Sequence, residues 1–261
     1  MKLLFSGILI IVLSAQGIFA QDSLSIKNMT EDSTSVAELH IDNTHQFSYK
    51  KLIIPATFIG YGVATLKFDK LKQLNFSTRT EINEHNPNHI NLDNYTRFAP
   101  AALVYGLNAL GVEGKHNLRD RSIIYGTSLL MTSAVVMPLK HIVKEERPDQ
   151  SNRLSFPSGH TATAFASAQF MYREYKDVNF WLGISGYSFA VFTGVYRMLN
   201  DKHWFSDVVA GAGIGILSTE AAYWLYPKIN KLFSGKNKNS STTMMPFYQN
   251  KTVGIGLVKN F

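Results

Sequence analysis

Residues 180–225 read FWLGISGYSFAVFTGVYRMLNDKHWFSDVVAGAGIGILSTEAAYWL. Two apolar runs, Phe180 to Tyr196 and Val208 to Leu225, flank a short charged loop, which predicts two neighbouring helices joined at one end. Small residues from Ala210 to Gly215 allow close backbone contact between helices, as in membrane bundles. Working outward, further apolar stretches occur at Phe98 to Val112, Ser122 to Leu139 and Thr161 to Met171, and small residues recur from Ala162 to Ala168. Lys51 to Lys67, which carries Pro55, predicts a helix lying on or against the others. The reading is all-α: a bundle of about six helices, membrane-embedded, with the candidate active site at one end. Most runs fall short of the roughly 20 apolar residues a span needs, so tilt, interfacial Trp181 and Trp224 and snorkelling lysines must make up the difference.

The flanks are of other kinds. Residues 1–20 have Lys2, an apolar run from Leu3 to Leu13 and Ala20 before Gln21-Asp22, the outline of a secretory signal peptide. Residues 21–50 are a polar, flexible lead-in. The bundle domain covers 51–227, and 228–261 form a basic and polar tail. Within the domain, Asp69 to Asn94 is polar with a break at Asn86-Pro87-Asn88. In the tail, Val253 to Phe261 alternate loosely and end in Phe, like the last strand of an outer-membrane barrel, but one strand makes no barrel, so a disordered tail or a short hairpin is expected. The 261 residues contain no cysteine, which excludes disulfides and thiolate chemistry, and the formal charge of +7 suits anionic lipid or an anionic substrate.

Three fragments carry chemistry: Lys140-x6-Arg147-Pro148, Pro157-Ser158-Gly159-His160, and Arg197-x5-His203-x3-Asp207. Counted from Lys51, the first two lie between the third and fourth helices and the last between the fifth and sixth, so all three meet at one end of the bundle. Positions seven apart share a helical face, so Lys140 and Arg147 can address one anion, with Pro148 ending the helix. Pro157-Ser158-Gly159-His160 opens a helix whose N-terminus, with Ser158 and the Gly159 backbone, suits a phosphate. His203 and Asp207 span one helical turn, or a turn entering a helix capped by Ser206, so the carboxylate can hold the imidazole. An attacking group, an acid and fixed donors for charge on phosphorus are all present.

These fragments resemble the three signature motifs of the superfamily of type-2 phosphatidic acid phosphatases, bacterial nonspecific acid phosphatases and vanadium haloperoxidases. The resemblance covers about Phe98 to Pro227. One departure stands out: Tyr196 occupies the position before the third-motif Arg where the family usually has Ser. The resemblance implies that His203 attacks phosphorus to form a phosphohistidine, that Asp207 orients it and that His160 protonates the leaving alkoxide. It further implies that Lys140, Arg147, Ser158, the Gly159 amide and Arg197 hold the phosphoryl oxygens, with no metal and no cofactor.

The expected activity is hydrolysis of a lipid phosphate or lipid diphosphate presented from a membrane, with the site on the periplasmic side of an inner membrane. Alternatives are a soluble periplasmic acid phosphatase of broad specificity, a vanadate-dependent haloperoxidase, and a non-catalytic protein that binds phosphate or lipid headgroups. No nucleic-acid motif and no obligate protein partner are read. His40, His45, His85, His89, His116 and His141 are read as surface residues, and Phe170, Tyr187 and Phe192 as core packing or the lining of a lipid route.

Overall fold

The computed structural model describes residues 47–84, 91–233, 242–249 and 252–259. The signal-peptide reading and all but the last residues of the lead-in lie outside them. A short 3-10 turn, Tyr49–Leu52, leads into α1 (Ile53–Thr65), followed by α2 (Asp69–Glu84), α3 (Asp93–Thr96), α4 (Ala99–Ala109), α5 (Leu118–Val143), α6 (Gly159–Tyr175), α7 (Phe180–Leu199) and α8 (Phe205–Phe233). Among the described residues, every element up to Phe233 is helical. In the tail, β1 (Thr242–Gln249) and β2 (Thr252–Lys259) pair antiparallel from Thr242↔Lys259 to Gln249↔Thr252, which is the hairpin outcome for this segment.

Each apolar run became a helix, and the additions come from the segment read as polar. Its Asp69–Glu84 part forms α2, and Asp93–Thr96 forms one further turn. No long apolar run announces α2. It is held by tertiary contacts: the Asn75 side chain donates to Ser206 Oγ (2.8 Å) and accepts from the Ser206 amide (3.0 Å), Arg79 makes two 2.8 Å bonds to Asp201, and Phe76 meets Trp204 edge to face.

Helix α6 is the centre of the bundle, packed against α7 and α8, while α8 also contacts α1 and α5. Close approach is built into α8. A Cβ on Gly211 would sit 2.6 Å from the Ser158 carbonyl, and one on Gly215 would collide with the Ala162 carbonyl. On the other side, a Cβ on Gly213 would lie 2.7 Å from the Pro55 carbonyl of α1. Small residues thus bring backbones together on both faces of one helix. Gly215→Val is therefore expected to destabilise the protein by about 1–3 kcal/mol, the usual cost of overpacking, read as a lowered thermal midpoint in detergent.

Two helices, Leu118–Val143 and Phe205–Leu232, are long and apolar enough to cross a bilayer, and the pair Tyr49–Thr65 and Asp69–Ile82, bent by 95°, passes the same test together. This is a membrane bundle. The other apolar runs folded as helices below that limit. Pro138 and Pro227 sit inside the two long helices. His141 is exposed as expected, but His116 is not: it is buried with Nδ1 2.7 Å from Glu174 Oε1, because the turn before α5 folds over α6.

Candidate active site

The three fragments meet at the end of the bundle where α5 ends and α6 and α8 begin. Ser158 is the N-cap of α6, its side chain accepting from the Thr161 amide and lying 2.9 Å from Thr161 Oγ1. The Ser158 amide in turn donates to the Asp207 backbone carbonyl (3.0 Å), joining the second fragment to the third. The hydroxyl of Ser158 is buried and engaged with its own helix. A Cβ on Gly159 would make only ordinary contact with Val136 (3.5 Å) and Lys140 (3.9 Å), so nothing within the protein presses on that position.

Lys140 and Arg147 do not share a helical face as expected. Helix α5 stops at Val143, and Lys144 adopts a left-handed conformation (φ 53°) as its C-cap. Arg147 therefore lies in the following loop, and Pro148 is not what ends the helix. That loop is folded back on itself: the Ser155 amide donates to the Glu145 carbonyl (3.0 Å) and the Arg147 amide to the Asn152 carbonyl (3.1 Å). Lys140 Nζ donates to the Leu154 carbonyl (2.6 Å) and, more weakly, the Ser155 carbonyl (3.3 Å), holding the loop against α5.

His203 and Asp207 are likewise not both on a helix. Helix α8 starts at Phe205, so His203 precedes it and Asp207 lies in its first turn. Ser206 lies inside the helix and bonds to Asn75, while Asp207 Oδ2 accepts from the Trp204 amide (2.9 Å) and from Ser155 Oγ (2.5 Å). His203 Nδ1 stands 3.6 Å from Asp207 Oδ2, beyond hydrogen-bond length but within ion-pair range. Both side chains are buried. Burial, followed by the charges of Lys140, Arg197 and Arg147, pushes the His203 imidazole well below its ordinary pKa.

That shift has a sign. The unfolded imidazole titrates near about 6.5, so below that pH the unfolded chain takes up the proton first and stability falls. The thermal midpoint is therefore expected to drop as pH falls from 7 towards 5, and His203→Asn to flatten part of the drop.

Two side chains that sequence reasoning missed complete the site, both from the α3 turn. Arg197 Nη1 donates to Asp93 Oδ2 (2.7 Å), and this pair is buried. His160 Nε2 lies 2.7 Å from Asn94 Oδ1. A further bond, Thr96 to Thr193 (2.9 Å), fixes the turn on α7. The only local signal was Asp93 itself, a carboxylate in a polar segment. Tyr196 is half-buried with its ring centroid 4.3 Å from that of Phe192.

Four buried polar atoms of the three motifs, Arg147 Nε, Arg197 Nε, His203 Nδ1 and Asp207 Oδ1, make no hydrogen bond within the protein. Buried polar groups are nearly always satisfied, so unpaired donors on two guanidinium groups at one site are suited to receiving an anion.

Comparison with known proteins finds similar sequences and structures. The PAP2 superfamily model matches residues 121–231, which contain all three fragments. A lipid A 1-phosphatase of Porphyromonas gingivalis is 33% identical over 150 residues, covering 57% of this chain and 34% of that protein. The bacitracin transport permease protein BcrC of Bacillus licheniformis is 35% identical over 77 residues, covering 29% of this chain and 36% of that protein. The matches thus span about a third of the length of these curated relatives. Among solved structures, Aquifex aeolicus LpxE aligns with a TM-score of 0.44 at 22% identity, covering 57% of this chain and 94% of that one. The transmembrane PAP2 type phosphatidylglycerolphosphate phosphatase of Bacillus subtilis aligns with a TM-score of 0.42 at 17% identity, covering 73% of this chain and 100% of that one.

Proposed function

We propose that this chain, whose residues 121–231 match the PAP2 superfamily model, belongs to that superfamily and is a membrane phosphatase that hydrolyses a lipid phosphate or lipid diphosphate through a phosphohistidine. The observation that carries the reading is the pair of unpaired guanidinium Nε–H groups, Arg147 and Arg197, buried beside His203. Two fixed cations supply the charge stabilisation that phosphoryl transfer mainly requires.

In this mechanism His203 Nδ1 faces Asp207, leaving Nε2 to attack phosphorus. A P–N bond forms as the bond to the leaving oxygen breaks, and His160 gives that oxygen a proton. Burial and the Arg197 and Arg97 charges push the His160 imidazole down to about 3 in the free protein, so it holds that proton only once the phosphate's negative charge is bound beside it. Water then attacks phosphorus, His160 takes its proton, the P–N bond breaks and phosphate leaves. The 3.6 Å separation from Asp207 is of the kind that tightens in a substrate complex. Depression of the His203 pKa keeps the attacking imidazole unprotonated at neutral pH. Lys140, Arg147, Ser158, the Gly159 amide and Arg197 hold the phosphoryl oxygens, Ser158 by turning from Thr161 and Lys140 by charge while it anchors its loop.

The lipid A 1-phosphatase relative favours a glycolipid phosphate, and phosphatidic acid, phosphatidylglycerol phosphate and a polyprenyl diphosphate fit the same chemistry. The site faces the periplasm from an inner membrane in this reading. It is tested by phosphate release from each lipid and from p-nitrophenyl phosphate, using detergent-solubilised full chain with EDTA. Preferential release from a lipid is expected. Equal release from the soluble ester would favour a broad acid phosphatase, and halide oxidation supported by vanadate would favour a haloperoxidase.

The bond to Asn94 gives a finer test of His160. Asn94→Ala is expected to slow alkyl phosphate hydrolysis about ten-fold, a fraction of what a general acid contributes, and to leave p-nitrophenyl phosphate nearly unchanged. A good leaving group needs no proton, so equal losses on both substrates would point to damage elsewhere.

A further inference from the structure

A cleft of about 600 Å³ opens at the other end of the bundle, with Lys50, Lys51, Arg173 and Lys176 along it and, among the described residues, a single carboxylate, Glu220, within its lining. Arg173 follows His160 by 13 positions on α6, and Glu220 follows Asp207 by 13 on α8. At 1.5 Å per residue, each step carries the chain about 20 Å from the proposed catalytic end. The cleft is therefore a separate place in the fold.

Its charges do not cancel. Glu220 accepts from Arg173 (2.6 Å) and from Gln169 (2.6 Å), and Lys51 stands 3.8 Å away from it. Lys176 pairs with Asp177 (2.8 Å), which also meets Lys115 (3.5 Å). Among the described residues, four cations are thus drawn to these two carboxylates, and Lys50, a fifth, is exposed. Beside Gln169, Tyr172 and Tyr187, the cleft has an apolar strip formed by Ile54 and Phe58 of α1, Phe165 of α6 and Ile216 of α8. It continues onto the outer face of α1, where Ile53 and Ile54 are 64% and 60% exposed. Helix α8, which forms its floor, is one of the two long enough to cross a bilayer.

We propose that this cleft is a binding site for an acidic phospholipid, whose phosphate lies among Lys50, Lys51 and Lys176 while an acyl chain runs along Ile54, Phe58 and Ile216. A surplus of cations beside an apolar trough at the edge of a membrane helix matches an anionic amphiphile and neither a zwitterionic lipid nor a free anion. The site is distinct from the proposed catalytic end and stands whether or not the chain is a phosphatase.

The test is native mass spectrometry of the full chain in mild detergent with phosphatidylglycerol or phosphatidylcholine. Preferential retention of phosphatidylglycerol is expected. Lys50→Gln/Lys51→Gln/Lys176→Gln should weaken it at least about ten-fold, given what each basic residue contributes near an anionic headgroup. Lys50→Arg/Lys51→Arg/Lys176→Arg should retain it, which separates lost charge from misfolding. An Arg147→Ala variant, altered only at the opposite end, should retain it as well. Equal retention of the two lipids, survival of the preference in the glutamine variant, its loss in the Arg147 variant, or full displacement by millimolar inorganic phosphate would each overturn the proposal.

Discussion

His203→Ala is expected to lower phosphate release by at least about 10^3-fold while leaving the fold in place, because it removes the group proposed to form the covalent bond to phosphorus. The change removes a buried ring, so the helical circular dichroism should persist even if the thermal midpoint falls by several degrees. The neighbourhood sharpens this expectation. Lys140, Arg147 and Arg197 crowd cationic charge around the imidazole, and removing the ring leaves that charge in place to bind phosphate. The variant should still bind phosphate or vanadate, so loss of turnover with anion binding kept would separate the attacking group from the anion cradle. Retention of more than about a tenth of the rate would rule out the nucleophilic role.

The second large effect is expected at a residue outside the three motifs. Asp93→Ala leaves Arg197 buried without its 2.7 Å partner, and breaking such a pair costs about 3–5 kcal/mol. Asn200, 3.4 Å from the same carboxylate, loses a neighbour too. Asp93→Asn keeps an acceptor for the guanidinium and should recover part of the stability. Because Arg197 is one of the two proposed phosphate clamps, turnover should fall with stability in the alanine variant. A thermal midpoint unchanged in Asp93→Ala would show that Arg197 is satisfied in another way. Should midpoint and turnover fall together and the asparagine variant restore both in part, Asp93 is a positioning residue for Arg197.

How much of this was legible is clearest from particular elements. The run from Phe180 to Tyr196 became α7, and Val208 to Leu225 became the middle of α8, because an uninterrupted apolar segment has few other ways to satisfy its backbone while burying its side chains. The helix opening at Gly159 with Ser158 as its cap was likewise written locally. Helix α2 was not, since its composition is polar with only Leu71, Leu74 and Ile82 spaced along one side, and the contacts that hold it lie more than a hundred residues away in Asp201, Trp204 and Ser206. The shared helical face for Lys140 and Arg147 failed for a similar reason. Lys144 turns left-handed, a conformation a lysine does not advertise, and the loop after it is fixed by contacts from Ser155 and Lys140.

The sequence by itself determined that the bundle is helical, which runs are its helices, and which cations, histidines and carboxylate gather at one end, since periodicity and motif spacing are local properties of the chain. Only the tertiary structure decided that Asp93 pairs with Arg197, that Asn94 meets His160, that Arg147 reaches the site from a loop, and that a basic cleft forms at the far end. Those facts depend on which side chains face each other across packed helices, and such facing is set by close approaches like those at Gly211 and Gly215.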